Sequence, residues 1–307
     1  MPDFLLVNDD GVHSPMLAPT IHHLRKLGTV RLVVPAEEQS WKSKAMSRFG
    51  ELIVRAQDGF GIEAYTVTGT PADCVNLGVH RLFSDPPDWV ISGINIGDNL
   101  GLAFVLNSGT VGAAFESALL GIPAVAFSHH VTREMYFQWS DHGRLAGAAG
   151  EKAVANAAAA VGRLMPAVLA HGLPAGAMML NINFPQDVNA NTAVRWTRLQ
   201  NNRYGSLFEP EGAGYRHRYR GDTWSEAAEH NDREVLEGGA ISVPPLTLDG
   251  RNLPYGEPFS FSSIAARHPS GSGGGADWTE SWDRFRAGFS FPVVTGSQPA
   301  IYSAFHG

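Results

Sequence analysis

The sequence predicts an α/β fold built on a mostly parallel sheet, and three observations carry that expectation. Phe4-Leu5-Leu6-Val7 is an unbroken apolar run of strand length, the pattern of a strand buried on both faces. A strand, a helix and a second strand follow one another within about 30 residues, a βαβ unit with parallel strands and a right-handed crossover. Further short apolar runs at residues 88–92, 124–127 and 178–183 alternate with helical patterns.

The first strand runs into Asn8, two adjacent carboxylates and Gly11. Ligands in open α/β sheets bind at the carboxyl ends of strands, so Asp9 and Asp10 belong at a cleft, on a turn that Gly11 permits. Side-by-side carboxylates repel unless a cation lies between them, and hard oxygen donors suit Mg²⁺ or Mn²⁺. The plainer reading is an Asx-rich turn with solvated acids. His13-Ser14-Pro15 then signals a helix start. Leu17, Ile21 and Leu24 form its apolar stripe, Gly28 stops it, and Pro19 delays the first regular turn. Residues 30–34 are the second strand, closed by Pro35. The polar segment 37–48, with Ser40, Ser43 and Ser47, follows that strand and so lies on the same edge as the acidic turn. Residues 52–54 and 65–67 read as a strand pair around Gly59 and Gly61. Gly69-Thr70-Pro71 opens a helix through Leu82.

The strand at 88–92 enters Ser92-Gly93-Ile94-Asn95-Ile96-Gly97-Asp98-Asn99-Leu100-Gly101, and Ser108-Gly109-Thr110-Val111 opens the next helix. A Ser-Gly-Thr turn at a helix N-terminus offers N–H groups and hydroxyls to an anion, although plain capping by Ser108 or Thr110 is the commoner use. Residues 124–127 form a strand, 151–170 an alanine-rich helix, and 178–183 another strand. From 195 to 230 the chain is polar, with Arg203, Arg216, His217, Arg218 and Arg220 among Tyr204, Tyr215 and Tyr219: a hairpin arm or a solvated loop. Residues 240–243 are the last clear strand. A Pro/Ser/Gly linker at 268–275 precedes Trp278, Trp282, Phe285, Phe289 and Phe291, aromatics that need a domain of their own or a neighbouring subunit.

The 307 residues suffice for one large α/β domain, with or without an appendage. A net charge of −7 argues against a nucleic-acid polymer as partner but leaves room for a small phosphate ester. The single cysteine, Cys74, rules out an intrachain disulfide and fits a reducing compartment. No signal-peptide pattern and no apolar span near about 20 residues is evident, which predicts a soluble, cytoplasmic protein without a membrane partner. The P-loop, the GxGxxG turn after the first strand and the GxSxG elbow are all missing. Cys74 falls inside a predicted helix, where core packing is its role. His22 and His23 lack a third ligand. His129 and His130 follow a strand and are candidates for the cleft.

Taken in this order and spacing, Asn8-Asp9-Asp10-Gly11, Ser40, Gly69-Thr70-Pro71-Ala72-Asp73-Cys74-Val75, Ser92-Gly93-Ile94-Asn95-Ile96-Gly97-Asp98-Asn99 and Ser108-Gly109-Thr110-Val111 resemble the SurE (survival protein E) family of nucleotidases. The resemblance is close from residue 1 to 127. It is looser through Leu180-Asn181-Ile182-Asn183-Phe184-Pro185 and Glu237-Gly238-Gly239-Ala240-Ile241-Ser242, and does not extend beyond 249.

The resemblance implies a Rossmann-like three-layer sandwich over residues 1–250, with a hairpin arm near 199–230. It also implies that residues 251–307 serve contacts between subunits of a homodimer or homotetramer. The implied activity is hydrolysis of nucleoside 5′- and 3′-monophosphates with one divalent metal ion per subunit, Mg²⁺ or Mn²⁺. By position, Asp9, Asp10, Ser40 and Asn95 would be the metal ligands, with Asp9, Asp10 and Asn95 catalytic. Asn99, Ser108, Gly109 and Thr110 would line the phosphate pocket, and Asn8 would support the acids. Two departures bear on substrate range: Trp41-Lys42-Ser43-Lys44 where the family has glycine and small residues, and Asn107 where a tyrosine is frequent. Lys42 and Lys44 either serve a phosphate or face water. A nucleoside hydrolase would want an Asp-x-Asp-x-x-x-Asp-Asp run, which Asp3, Asp9 and Asp10 do not give. A non-catalytic nucleotide-binding module is the alternative outside enzymes.

Overall fold

β1 (Asp3–Val7) lies in the interior of the sheet, as an apolar run buried on both faces must. The computed structural model describes residues 1–247 apart from 144, 146 and 226–229; the tail at 251–307 and its inter-subunit role lie outside the described residues. The chain continues through α1 (Leu17–Leu24), β2 (Thr29–Pro35), β3 (Val54–Ala56), β4 (Ala64–Val67) and α2 (Pro71–Leu77), which a π-helical turn extends over Gly78–Leu82. Next come β5 (Trp89–Ile96), α3 (Gly101–Asn107), α4 (Gly109–Leu119), β6 (Ala124–His129), α5 (Arg133–His142), α6 (Gly147–His171) and β7 (Met179–Phe184). Short elements complete it: β8 (Val194–Trp196), β9 (Asn202–Tyr204), β10 (Phe208–Glu211), β11 (Gly214–His217), β12 (Asp222–Trp224), α7 (Asp232–Glu237), β13 (Ile241–Val243) and β14 (Pro245–Leu246).

The main sheet runs β3-β4-β2-β1-β5-β6-β7-β13-β8, with β14 also on β7. Its central pairings, from β4 through β7, are all parallel, and the antiparallel strands sit towards the margins. Side-chain alternation along β1 divides the core. Phe4 and Leu6 pack with Leu17, Ile21 and Leu24 of α1 and Val161, Leu164 and Met165 of α6. Leu5 and Val7 pack on the opposite face with Cys74 and Val75 of α2 and Val111, Ala113 and Ala114 of α4. The predicted three-layer α/β class is therefore the observed one. Pro19 sits in the first turn of α1, where a missing N–H costs nothing. Thr70 and Asp73 make a reciprocal capping box that starts α2.

Three expectations need correction. The strand pair at 52–54 and 65–67 is displaced, with Val54 paired to Val67. The helices α3 and α5 have no counterpart in the sequence reading. Helix α6, 25 residues long, is apolar enough by length and composition to cross a membrane, contrary to the expectation that no such span exists. The alanine-rich helix expected at 151–170 is this one, longer at both ends. In the fold, its apolar face packs on α1 and the sheet.

The polar stretch predicted as an arm or loop is a pair of ribbons, β9 with β12 and β10 with β11. Its base caps α3 from a distance. Helix α3 begins at Leu100, which supplies no side-chain cap. Instead Gly101 N–H donates to Asp232 Oδ2 at 2.6 Å, Leu102 N–H to Gln200 O at 3.0 Å, and Ala103 N–H to Asn202 Oδ1 at 2.8 Å. Asp232 Oδ1 also accepts Gln200 N–H at 2.9 Å, so one carboxylate joins the arm to the helix.

Burial raises the Asp232 carboxyl to about 6 even against these hydrogen bonds. Its folded pKa thus exceeds the ordinary carboxylate value, and the folded state holds the extra proton between the two. The stability attributable to protonated Asp232 is full below about pH 4 and is lost as pH rises to about 6, to a limit of roughly 3 kcal/mol. Urea midpoints across that range should show this slope in the wild type. Asp232→Asn removes it, and parallel curves for the two proteins would contradict the assignment.

Candidate active site

The acidic turn after β1 faces the segment after β2 and the N-terminus of α4. Asn8 ties the turn: its Oδ1 accepts Gly11 N–H at 3.2 Å and its Nδ2 donates to Gly11 O at 2.9 Å. Gln39 N–H donates to Asp9 O at 2.7 Å, so the polar segment does lie against the acids. Asp9 is held by α4. The Thr110 hydroxyl donates to Oδ1 at 2.5 Å and the Thr110 N–H to Oδ2 at 3.0 Å. Asp10 is held more loosely. Ile96 N–H at 3.3 Å and the Ser14 hydroxyl at 3.5 Å both end on Oδ2.

The two neutral candidates, Ser40 and Asn95, lie in the segment after β2 and at the end of β5. Ser40 N–H donates to Glu38 Oε1 at 2.8 Å, and its hydroxyl has no partner among the described residues. Asn95, at the end of β5, donates its Nδ2 to Gly97 O at 2.9 Å, which leaves Oδ1 as its free end.

Asp9 and Asp10 are both buried, and among the described residues no lysine or arginine pairs with either. Burial pushes the Asp9 carboxyl up to about 6 against the two Thr110 bonds. Burial first, and the neighbouring Asp9 charge second, push Asp10 well above the usual range, and Glu38 adds to both. Two buried carboxylates without a protein cation are costly unless a cation is supplied from outside. The donor chemistry of the pair, hard carboxylate oxygens, fits Mg²⁺ or Mn²⁺, and the oxygens of Ser40 and Asn95 are of the same hard type. Among the described residues no three His, Cys, Asp or Glu side chains converge as ligands. A cation of the Mg²⁺ type needs only one or two carboxylates, the rest coming from water and substrate.

The Ser-Gly-Thr turn is narrower than expected as an anion site. Ser108 Oγ caps α4 by accepting Val111 N–H at 3.1 Å, and Thr110 N–H already holds the Asp9 carboxylate. Of the first three N–H groups, only that of Gly109 is unpaired among the described residues. Gly109 is required for closeness: a Cβ there would lie 2.9 Å from Asp9 Cβ and Oδ2 and 3.1 Å from Gln39 O.

Asn99 does not point freely into the pocket. Its Nδ2 donates to Ser128 Oγ at 2.8 Å, its N–H to Asn183 Oδ1 at 2.8 Å, and its carbonyl accepts Asn181 Nδ2 at 2.9 Å. The sequence assigned no site role to Ser128, Asn181 or Asn183. Their signal was available: two asparagines spaced by two, on one face of an otherwise apolar strand.

Other candidates fall outside this cluster. Lys44 pairs with the buried Glu116 at 2.6 Å, so it serves neither of the two roles considered for it. His129 is fully buried, with Nε2 3.3 Å from Gln186 O, and burial holds its pKa down at about 4. His130 pairs with Asp98 at 2.5 Å. Cys74 is a buried core thiol, as expected. Trp41, by contrast, has φ of 61°, a conformation that costs a bulky residue about 1–2 kcal/mol. Its ring centroid lies 5.7 Å from Phe104, 6.1 Å from Tyr204, 4.8 Å from His217 and 6.4 Å from Tyr219. Asn107 donates its Nδ2 to the Tyr204 hydroxyl at 2.6 Å.

Residues 4–206 match the family model described as "Survival protein SurE". The chain belongs to the SurE family. Among SurE proteins, the 5′-nucleotidase SurE of Methanocella arvoryzae is 39% identical over 251 residues, 80% of this chain and 91% of that protein. The 5′-nucleotidase SurE of Methanosarcina acetivorans is 36% identical over 255 residues, covering 81% and 92%. The crystal structure of the SurE protein from Aquifex aeolicus superimposes with a TM-score of 0.63 at 30% identity, over 81% of this chain and 94% of that one.

Proposed function

We propose that this chain is a nucleotidase that hydrolyses the phosphomonoester of nucleoside 5′- and 3′-monophosphates, with one divalent cation, Mg²⁺ or Mn²⁺, held by Asp9, Asp10, Ser40 and Asn95. The observation that carries the reading is the joining of an uncompensated buried acid pair to the start of α4 through Asp9 and Thr110. Its SurE relatives named 5′-nucleotidase support the substrate class. When bound, the cation supplies Lewis-acid polarisation of a phosphoryl oxygen and activation of the attacking water.

The chain's own residues supply position and proton handling. Thr110 fixes Asp9 with two hydrogen bonds, and Asn8 fixes the turn. The Gly109 N–H, at the positive end of α4, faces the phosphate together with the Ser108 hydroxyl. Asp10, whose two hydrogen bonds both end on Oδ2, offers Oδ1 to take a proton from the water attacking in line. Asn99, clamped by Ser128, Asn181 and Asn183, holds the loop that follows β5 in place.

The test is phosphate release from a panel of nucleoside 5′- and 3′-monophosphates with Mg²⁺, Mn²⁺ or EDTA. Release that requires the cation and yields intact nucleoside is the expected result. Free base in place of phosphate would shift the assignment to nucleoside hydrolysis. Tight binding without turnover under either cation would leave a binding module.

A further inference from the structure

We propose that Trp41 is the platform on which the base of the substrate stacks, so that the enzyme selects nucleotides over sugar phosphates that carry no base. This rests on the nucleotidase reading and names what recognises the far end of its substrate.

The loop that carries Trp41 is pinned to the phosphate turn at both ends. Gln39 O lies 3.1 Å from where a Cβ on Gly109 would stand, and Ser43 N–H donates to Asn107 O at 2.9 Å. The Ser43 hydroxyl adds a bond to Leu106 O at 2.6 Å. Residue 41 is two residues from each anchor, so its Cα stands within about 8 Å of both. Ser40, a candidate cation ligand, precedes it directly. The indole is therefore carried by a loop that adjoins both the proposed cation ligand Ser40 and the residues leading into the Ser108 turn.

The indole is held among four rings and stays partly exposed. Phe104, Tyr204, His217 and Tyr219 surround it at interplanar angles of 46° to 76°, so none of these rings stacks flat against it. Trp41 keeps part of its surface exposed, as does Tyr219. A left-handed backbone at a tryptophan is maintained by the loop's two anchors rather than by local preference. Any base offers a π-face to such a ring, and a purine offers the larger overlap.

The experiment compares full-length wild type, Trp41→Gly and Trp41→Phe on AMP, CMP and ribose 5-phosphate. Glycine suits the positive φ, so the backbone of that variant is unstrained although the ring contacts are lost, and phenylalanine returns an aromatic face. Trp41→Gly should lower kcat/KM for AMP by roughly ten-fold or more beyond any loss on ribose 5-phosphate, and Trp41→Phe should recover most of the difference. Equal losses on AMP and ribose 5-phosphate mean that Trp41 only anchors the arm, and they overturn the proposal. Calorimetric titration with AMP and ribose 5-phosphate separates the two readings. If the wild type turns over nothing, the nucleotidase reading fails, yet a selective loss of AMP affinity in Trp41→Gly still upholds the platform and its absence still rejects it.

Discussion

Asp10→Asn is expected to abolish phosphate release and to make the metal-free protein more stable. Activity should fall by at least the roughly 10²–10⁴-fold attached to a general base, since the same substitution also removes one of the carboxylates proposed to hold the cation. The stability change has the opposite sign. In the folded protein the Asp10 carboxyl is pushed above its ordinary range by burial and by Asp9, so at neutral pH its charge works against folding. An amide removes that charge and keeps the size, and a gain of about 1 kcal/mol is expected in EDTA. The gain shrinks or reverses when Mg²⁺ or Mn²⁺ is added, because only the wild type then gains binding energy. Asp9→Asn also loses activity but gains less. Asp9 accepts on both oxygens from Thr110, and an amide presents only one acceptor. Urea titrations with and without the cation, set beside the rates, check both halves. An Asp10→Asn protein that retains wild-type turnover sinks the site assignment.

Gly109→Ala should cost roughly 10²-fold in kcat while leaving the fold intact. The added methyl group would meet Asp9 Cβ and Oδ2 at 2.9 Å and the Gln39 carbonyl at 3.1 Å. It has no flexible side-chain end to push aside. Relief comes only by moving α4 away from the acidic turn and the loop behind Ser40. A displacement of even 1 Å in a catalytic group lowers rate on that scale. Gly205→Ala is the control, since a Cβ there meets nothing within 4 Å. Circular dichroism and phosphate release on the two variants decide the matter: similar rates for both would mean that the close approach at Gly109 does not bear on catalysis.

The parallel core was legible because each central strand is an apolar run with punctuation at its end, and that pattern survives in every context. The acidic turn was legible for the same reason: its place at a strand's carboxyl end follows from topology alone. The lost parts have local reasons too. Helix α3 is seven residues long, starts without a side-chain cap and takes its hydrogen-bond partners from residues 200–232, so nothing nearby announces it. Helix α6 hides its apolar character in alanine. The use of Thr110 to hold Asp9, rather than to receive an anion, depends on a contact across 101 residues that no local pattern can contain.

The remote capping of α3 also sets an order of assembly. The caps from Asn202 and Asp232 lie 99 and 131 residues further along the chain than the amides they satisfy. A chain synthesised from its N-terminus therefore exposes residues 101–107 well before their partners exist, with no local bond to start the helix. The strands of the parallel core can pair in the meantime. The turn at Ser108, which continues directly from α3, already has partners in Asp9 and Ser43, so the arm's base completes the start of α3 rather than the turn itself. Closing so long a loop is entropically slow but adds little to the final free energy. The start of α3 is thus among the last parts of the described chain to gain its hydrogen-bond partners in synthesis.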